Sequence, residues 1–479
     1  MLEFYFFDSE VEIAQMSGKA VAQKKDLNML EGPLLSKIIR FTLPLMITNL
    51  LQVCYSAADM IIVGLSGVDG AIGAIGTTGA LINLVVNVFI GFSVGTNVIV
   101  ARNIGRGDKK ATENAVHTSV LFALICGVIC AVVGFFISRP ILAMMGNEGH
   151  ILDLSSLYTK IYFLGTPFIS MTNYLIAILR AKGDTKTPLY ILSASGLVNV
   201  LLNLVFVLAF GMSVDGVALA TVLSNVMSMV LLFIKLLRDE SWCRLYWSKF
   251  KMTRAAVFDI ITVGLPAGVQ GALFSVSNML IQSSLIGLNN AACPGGSAII
   301  DGHAASGSLE GFAYTATNAV CQAATTFTSQ HFGARKFKRI GAVMRNCYIV
   351  TGVVALIATS IIFGFKDFLI GLYVSEPLAV ETATLRNAIL IIPYFTLAFM
   401  EVGSGVVRGL GKSITSTVVS LIGACLFRIV WIYTVFQLSP TIEVLYLSYP
   451  VSWSLTAIMQ FIVAYTTRRK YMKEESFAE

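Results

Sequence analysis

One acidic residue stands inside the first long apolar stretch of the chain. Asp59 follows Gln52, Tyr55 and Ser56 at a spacing that places all four side chains on one face of a helix. A carboxylate inside hydrocarbon is costly, and such residues usually face a cavity and mark ion or substrate pathways. This polar stripe therefore predicts that the first helix lines such a pathway.

Three further oxygen-bearing side chains are expected at the depth of Asp59. Counted from the helix ends predicted to face outside, Asp59, Asn203 and Thr221 agree in depth to within about one turn. Asn199 lies one turn from Asn203 on the same face. Together they could form an all-oxygen site for a small hard cation such as Na⁺. Alternatively, Asp59 binds a proton or a cationic substrate, and the amides and the hydroxyl only hydrogen-bond neighbouring helices.

A second pair of charges interrupts two later apolar stretches. Glu401 falls in the tenth stretch and Arg428 in the eleventh. Counted from the loop near Lys412, their depths differ by about two turns at most, so we expect a buried ion pair. The pair either neutralises two charges for structural reasons or makes Glu401 a second protonatable site with Arg428 as its partner.

No residue set predicts enzymatic chemistry. The four histidines are scattered, the eight cysteines lack metal-ligand spacing, and no phosphate-binding loop is present. We therefore expect no catalytic residue, no cofactor and no ATP hydrolysis in this chain. The only coupling species we expect is an ion, Na⁺ or H⁺.

These side chains require membrane helices to position them. The chain is 56% hydrophobic and 13% charged, with a mean hydropathy of +0.77, and stretches of about 20 apolar residues recur along it, as spanning helices need. We predict an all-α integral membrane protein with twelve transmembrane helices at 38–65, 72–99, 115–138, 155–179, 188–210, 216–237, 256–287, 308–329, 346–371, 387–408, 415–438 and 443–466.

The distribution of lysine and arginine sets the expected orientation. With both termini inside, most of the 34 basic residues fall in cytoplasmic segments, four (Arg139, Lys160, Lys366 and Arg386) fall outside and Arg428 lies within a span, as the positive-inside rule requires. The net charge of +7 thus reflects orientation and not nucleic-acid binding. We predict a cytoplasmic N-terminal segment at 1–35, a first lobe at 36–237, a cytoplasmic linker at 238–254, a second lobe at 255–468 and a cytoplasmic tail at 469–479.

The two halves of the chain resemble one another. Residues 101–105 match 329–333, and residues 179–183 match 407–411, both at an offset of 228; residues 38–44 match 260–266 at an offset of 222. Six spans per repeat is an even number, so both repeats enter the membrane in the same direction. This predicts two parallel six-helix lobes related by a pseudo-two-fold axis along the membrane normal, with rocking between them.

Several fragments resemble the multidrug and toxic compound extrusion family, over about residues 32–468. They are Leu43-Pro44 followed by Asp59, the run LRAKGDTKTP at 179–188, the run NVLLNLVFVLAFGMSVDGVALAT at 199–221, and QHFGA at 330–334. The resemblance implies a cation-coupled exporter that exchanges Na⁺ or H⁺ for amphipathic, often cationic, drugs. It also implies an ion-site carboxylate at Asp59 with polar partners at Asn199 and Thr221.

The same resemblance implies roles for further residues, and the chain departs from the family's pattern in two places. It puts Gln52 and Tyr55 near the ion site and the substrate path, and Asn173 at a further polar position. The family's fifth helix commonly carries a second Asp where this chain has Asn203, and the carboxylate that one branch uses in the seventh helix is absent between Gly264 and Gln282. We therefore expect ion coupling to run through the first lobe.

The resulting hypothesis is a secondary multidrug antiporter of the cell membrane, acting as a monomer on small-molecule substrates, with the lipid bilayer and no nucleic acid as its other partner. The alternative is a lipid or lipid-linked glycan flippase of the same broader superfamily. Such flippases commonly have additional helices and strongly cationic cavities, whereas the sequence predicts twelve spans and one intramembrane arginine.

Overall fold

The computed structural model describes residues 27–478, apart from residues 69 and 295. Most of the segment predicted at 1–35 therefore lies outside the described residues. The described chain is helical throughout, without a strand. The six helices of the first lobe are α1 (Leu34–Gly64), α2 (Ala71–Arg106), α3 (Lys109–Met144), α4 (Gly149–Leu164 and Thr166–Lys182), α5 (Lys186–Leu204, continued by a π-helical turn at Val205–Ala209) and α6 (Val214–Leu237).

The second lobe repeats this order. Its helices are α7 (Arg254–Ala292), α8 (Ala298–Gly333), α9 (Phe337–Gly364), α10 (Pro377–Leu390 and Phe395–Gly409, joined by the turn Ile392–Tyr394), α11 (Ser413–Ser420, a π-helical stretch Leu421–Leu426, and Phe427–Tyr433) and α12 (Ile442–Ala478). Short helices follow α9 at Lys366–Gly371 and α11 at Val435–Leu438, and a 3-10 turn lies at Trp247–Lys249.

The predicted number of twelve helices agrees with this architecture. Within the described residues, nine helices are long and apolar enough to span a membrane, and α4 and α10 qualify as two bent pairs, with angles of 49° and 40°. The remaining helix, α8, is 36 residues long and rich in small and polar residues. It can be more polar because it packs against α1, α2 and α10 in the middle of the molecule.

The three largest differences from the predicted boundaries are in α8, α10 and α12. Helix α8 begins at residue 298 and not 308, and α10 begins at Pro377 and not 387. Arg386, which the sequence placed outside, therefore lies within α10. Helix α12 continues to Ala478, so the described part of the predicted tail at 469–479 is helical.

Glycines bring the two lobes into contact at one end of the bundle. We call this the basic end; it carries the loops after α2, α4, α8 and α10, and the opposite end is the far end. A Cβ on Gly105 of α2 would collide with the backbone of Gln330 on α8, and a Cβ on Gly333 of α8 would collide with the backbone of Arg102 on α2. The helices therefore cross backbone to backbone at the basic end.

The far halves of the same helices are apart. No described atom lies within 4 Å of the position that a Cβ would take at Gly76 or Gly79 of α2, or at Gly307 or Gly311 of α8. Gly79 and Gly307 are repeat equivalents, 228 residues apart. The hydrophobic clusters described at the far end are each confined to one lobe. The lobes are therefore in contact at the basic end and separated at the far end.

The segment 238–254, predicted as the linker, packs against the basic end of the first lobe. Lys182 forms a buried ion pair with Asp239, at 2.9 Å. The backbone N–H of Tyr246 donates to Nε2 of His117 on α3, at 3.0 Å. These contacts fix the start of the connection between the lobes to α3 and α4.

Candidate functional site

The structure brings Asp59 into contact with Asn203. The amide Nδ2 of Asn203 on α5 donates to Oδ1 of Asp59 on α1, at 2.5 Å. Asp59 lies five residues before the far end of α1, and Asn203 lies just before the π-helical turn of α5. Such turns are frequent at functional sites because they interrupt the regular hydrogen-bond ladder.

Asn199 and Thr221 complete a four-residue group, which we call the Asp59 cluster. Nδ2 of Asn203 also lies 3.5 Å from Oδ1 of Asn199. Nδ2 of Asn199 lies 3.5 Å from the hydroxyl of Thr221 on α6, which donates to the carbonyl of Val217. The equal depths counted along the sequence thus correspond to one connected group of side chains on three helices.

The cluster has one orphaned acceptor. Asn203 is fully buried and Asn199 is 5% exposed, while Asp59 and Thr221 are partly exposed. Oδ1 of Asn203 is buried and has no hydrogen-bond partner in the described part of the molecule. Leaving such an atom unsatisfied costs about 1–3 kcal/mol, so a cation that reached Oδ1 of Asn203 would find a free acceptor there.

No positive side chain compensates Asp59. Among the described residues, no Lys, Arg or His nitrogen lies within 4.0 Å of its carboxylate. Nor do the described residues include a group of three or more His, Cys, Asp and Glu that could hold a metal ion. A cation at this cluster would therefore rest on one carboxylate and neutral oxygens, a donor set that suits a weakly held monovalent ion.

Packing fixes Tyr55 beside this site. Its hydroxyl donates to the carbonyl of Ser193 on α5, at 3.2 Å, and its ring occupies the space that a Cβ on Gly196 would need. Gln52 is exposed one turn away towards the basic end. Both side chains therefore lie on the helix face that leads to Asp59.

Asn173 does not join the cluster through any hydrogen bond between described residues. Its side chain donates to the carbonyl of Ile169, one turn earlier on α4, at 2.9 Å. The contact is local to its own helix. The structure therefore gives Asn173 a helix-internal partner and leaves its predicted role without geometric support.

The expected ion pair between Glu401 and Arg428 is wrong. Arg428 on α11 donates to Ser452 and Asn278, and its guanidinium lies 4.2 Å from the ring centre of Tyr449. Glu401 on α10 lies beside Cys321 and Arg408 instead. The similar predicted depths were not sufficient, because the two side chains leave their helices towards different neighbours.

The ion pair of the second lobe is formed by two residues that sequence reasoning missed. Arg386 on α10 lies 2.6 Å from the carboxylate of Glu310 on α8 and also donates to Ser306, at 2.8 Å. Both side chains are largely buried. Glu310 was visible inside the predicted eighth span, but Arg386 was not, because the tenth helix begins ten residues before its predicted start.

One family model matches both halves of the chain. The MatE model covers residues 44–205 and again residues 266–434. The chain belongs to the MatE family of efflux transporters. The double match agrees with the repeat seen in the sequence and with the two lobes of the structure.

Individual relatives are distant but cover most of the chain. Multidrug export protein MepA of Staphylococcus aureus (strain NCTC 8325 / PS 47) is 24% identical over 451 residues, which are 93% of this chain and 97% of the relative. Probable multidrug resistance protein NorM of Thermotoga maritima is 26% identical over 402 residues, 81% of this chain and 82% of the relative.

Solved structures share the fold of this MatE protein. A multidrug resistance MATE family transporter of the MOP superfamily, described in an outward-facing conformation, superposes with a TM-score of 0.86 at 21% identity, over 94% of this chain and 99% of the other. A MOP superfamily transporter from Pyrococcus furiosus gives the same score, identity and coverage. At this identity the similarity establishes the fold alone.

Proposed function

We propose that this MatE protein exports amphipathic, often cationic, small molecules in exchange for a cation, H⁺ or Na⁺, that binds at the Asp59 cluster. The observation that carries the proposal is the partly exposed Asp59 carboxylate, which has a neutral amide at 2.5 Å and no counter-charge among the described residues. The printed names of the relatives, multidrug export and multidrug resistance proteins, support the choice of substrate class.

The chemistry of the cluster suits an ion that binds and leaves. Because no fixed cation neutralises Asp59, an incoming H⁺ or Na⁺ lowers the cost of burying the carboxylate, and a departing one restores it. A cationic substrate is attracted only while Asp59 is charged. Ion and substrate then compete for one negative charge, which is the requirement for exchange.

The arrangement of the lobes supports alternating access. The lobes touch through Gly105 and Gly333 at the basic end and are apart near Gly79 and Gly307. By the positive-inside rule the basic end faces the cytoplasm, with both termini on that side of the cell membrane. In this state the cleft between the lobes opens to the outside, and rocking about the crossing of α2 and α8 would open it inwards.

A transport assay in vesicles tests this proposal. The purified protein, reconstituted as a monomer without any added cofactor, is given a cationic fluorescent dye and either a H⁺ gradient or a Na⁺ gradient. We expect one gradient to drive dye movement by the wild type, and Asp59→Asn to reduce it to the level of empty vesicles.

The matched control is Asp301→Asn. Asp301 is an exposed acid in the first turn of α8, at the far end and in the other lobe, and it accepts a hydrogen bond from Ser297. We expect this variant to transport like the wild type. Normal gradient-driven transport by Asp59→Asn would show that coupling does not use this site.

A further inference from the structure

A groove on the outer surface of the second lobe lies away from the cleft. It has a volume of about 650 Å³ and runs between α9 and α12, with Phe399 of α10 at its floor. Ile349, Val353 and Leu356 on its wall are 50–66% exposed. Large apolar side chains so exposed on a membrane helix contact lipid tails, so the groove opens towards the bilayer.

Glycines on one face of α9 shape the groove. Gly341 and Gly352 lie on the same helix face as Arg345 and Tyr348, at helical spacing. A Cβ on Gly352 would approach Phe399 no closer than 3.6 Å, an ordinary contact. A Cβ at this position is therefore accommodated in ordinary contact with Phe399, on the side of α9 that lines the groove.

Two arginines stand at the basic end of the groove. The guanidinium of Arg468 on α12 lies over Gly341, and its Nε donates to the carbonyl of Phe337, at 3.1 Å. Arg345 is exposed on the facing helix. Among the described residues, neither arginine has a carboxylate within 4.0 Å. Two guanidinium groups thus face one opening without an acidic partner.

The depth of these groups matches one leaflet of a bilayer. Arg345 and Leu356 are eleven residues apart on α9, or about 17 Å along the axis. Half of the hydrocarbon core is about 15 Å. When the arginines lie at the level of the headgroups, the apolar part of the groove therefore extends to about the middle of the membrane.

We propose that this groove binds an anionic glycerophospholipid, with its phosphate between Arg345 and Arg468 and one acyl chain along Gly352, Leu356 and Phe399. Guanidinium groups bind phosphate through paired charge-assisted hydrogen bonds, and basic sites between helices on the cytoplasmic side select anionic headgroups. A free phosphate leaves the apolar wall uncovered, and a cationic drug is repelled by both arginines.

Native mass spectrometry of the full-length protein in detergent tests the proposal, with phosphatidylglycerol and phosphatidylcholine of the same acyl chains as probes. We expect phosphatidylglycerol to bind about tenfold more tightly, and Arg345→Gln/Arg468→Gln to remove that preference. The matched control is Arg244→Gln, which removes the same charge at the basic end of the first lobe, where the exposed Arg244 lies over Tyr246. This control retains the preference.

A second variant distinguishes binding of the whole lipid from binding of its headgroup alone. Gly352→Leu fills the apolar part of the groove and keeps both arginines, so we expect it to weaken phosphatidylglycerol binding several-fold. Inorganic phosphate, added alone, is not expected to raise the melting temperature of the wild type. Equal binding of the two lipids, the same loss in Arg244→Gln, unchanged binding in Gly352→Leu, or full stabilisation by phosphate would each overturn the proposal.

Discussion

Asp59 of the first lobe and Glu310 of the second lobe are carboxylates within helices, and their surroundings are opposite. In the first lobe, Asp59 has only neutral hydrogen-bonding partners and is partly exposed. In the second lobe, Glu310 is paired with Arg386 at 2.6 Å. A buried carboxylate without a counter-ion is costly, whereas a paired one is largely neutralised. This difference supports the proposal that Asp59 carries the exchangeable charge, whereas Glu310 and Arg386 form a neutral pair.

The two lobes therefore repeat the order of their helices but not the surroundings of their charged residues. Arg428 on α11 is another buried charge of the second lobe. The partners described for it, Asn278, Ser452 and the ring of Tyr449, are neutral. A cation bound at the Asp59 cluster would change the net charge of the first lobe and leave the pair of Glu310 and Arg386 unchanged. The lobes thus differ in what an arriving ion can do to them.

The largest expected effect is on the free energy of unfolding, which should differ between variants of the two lobes. Glu310→Gln leaves Arg386 buried without a counter-charge, so we expect the free energy of unfolding to fall by about 3–5 kcal/mol. Asp59→Asn removes no ion pair, and we expect a change below about 1 kcal/mol. Denaturation in mixed micelles, followed by circular dichroism, measures both.

A double variant is the control for this prediction. Glu310→Gln/Arg386→Met removes both charges, and it should recover most of the stability lost in Glu310→Gln. Equal losses in Glu310→Gln and Asp59→Asn would remove the distinction between the lobes.

The next largest effect concerns the Na⁺ affinity of the first lobe. Asn203→Asp places a second carboxylate beside Asp59, and because the two acids repel each other, a cation that binds both becomes more favourable. We expect apparent Na⁺ affinity to rise about tenfold, measured as the Na⁺ concentration that half-maximally raises the melting temperature.

Asn173→Asp provides the matched control for Asn203→Asp. It makes the same substitution in the same lobe, but Asn173 bonds within its own helix, to Ile169. We expect its Na⁺ dependence to equal that of the wild type. An equal gain in both variants would mean that the Asp59 cluster is not where Na⁺ binds.

The smallest effect concerns the edge of the cluster. Thr221→Val removes one hydroxyl and nearly preserves the volume, so we expect coupling-ion affinity to fall about 2- to 10-fold. The same change at Thr262, whose hydroxyl donates to Phe258 within α7, is expected to have no effect. Ion-dependent dye transport over a range of ion concentrations gives both affinities, and an unchanged Thr221→Val would exclude this hydroxyl from the site.

The first lobe was predictable from sequence to a greater extent than the second. Apolar runs indicated the helices, and counting depth brought Asp59, Asn199, Asn203 and Thr221 together because each lies near one end of a regular helix. In the second lobe, Glu381 and Arg386 lower the apolar character of the first part of α10, so its start was placed too late. The direction in which Arg428 leaves its helix depends on packing against α7 and α12, which depth counting does not include.

The crossing of α2 and α8 has a consequence beyond closure. Gly105 contacts Gln330, and Gly333 contacts Arg102. Gly105 is equivalent to Gly333 and Arg102 to Gln330, because each pair is 228 residues apart, the offset of the repeat. Residue i of one half thus touches residue j of the other, and j touches i, as in the isologous interface of a symmetric dimer. At this crossing each half of the chain contacts the other through equivalent positions. A single chain thus forms at this crossing the kind of contact that a parallel homodimer forms between two separate subunits.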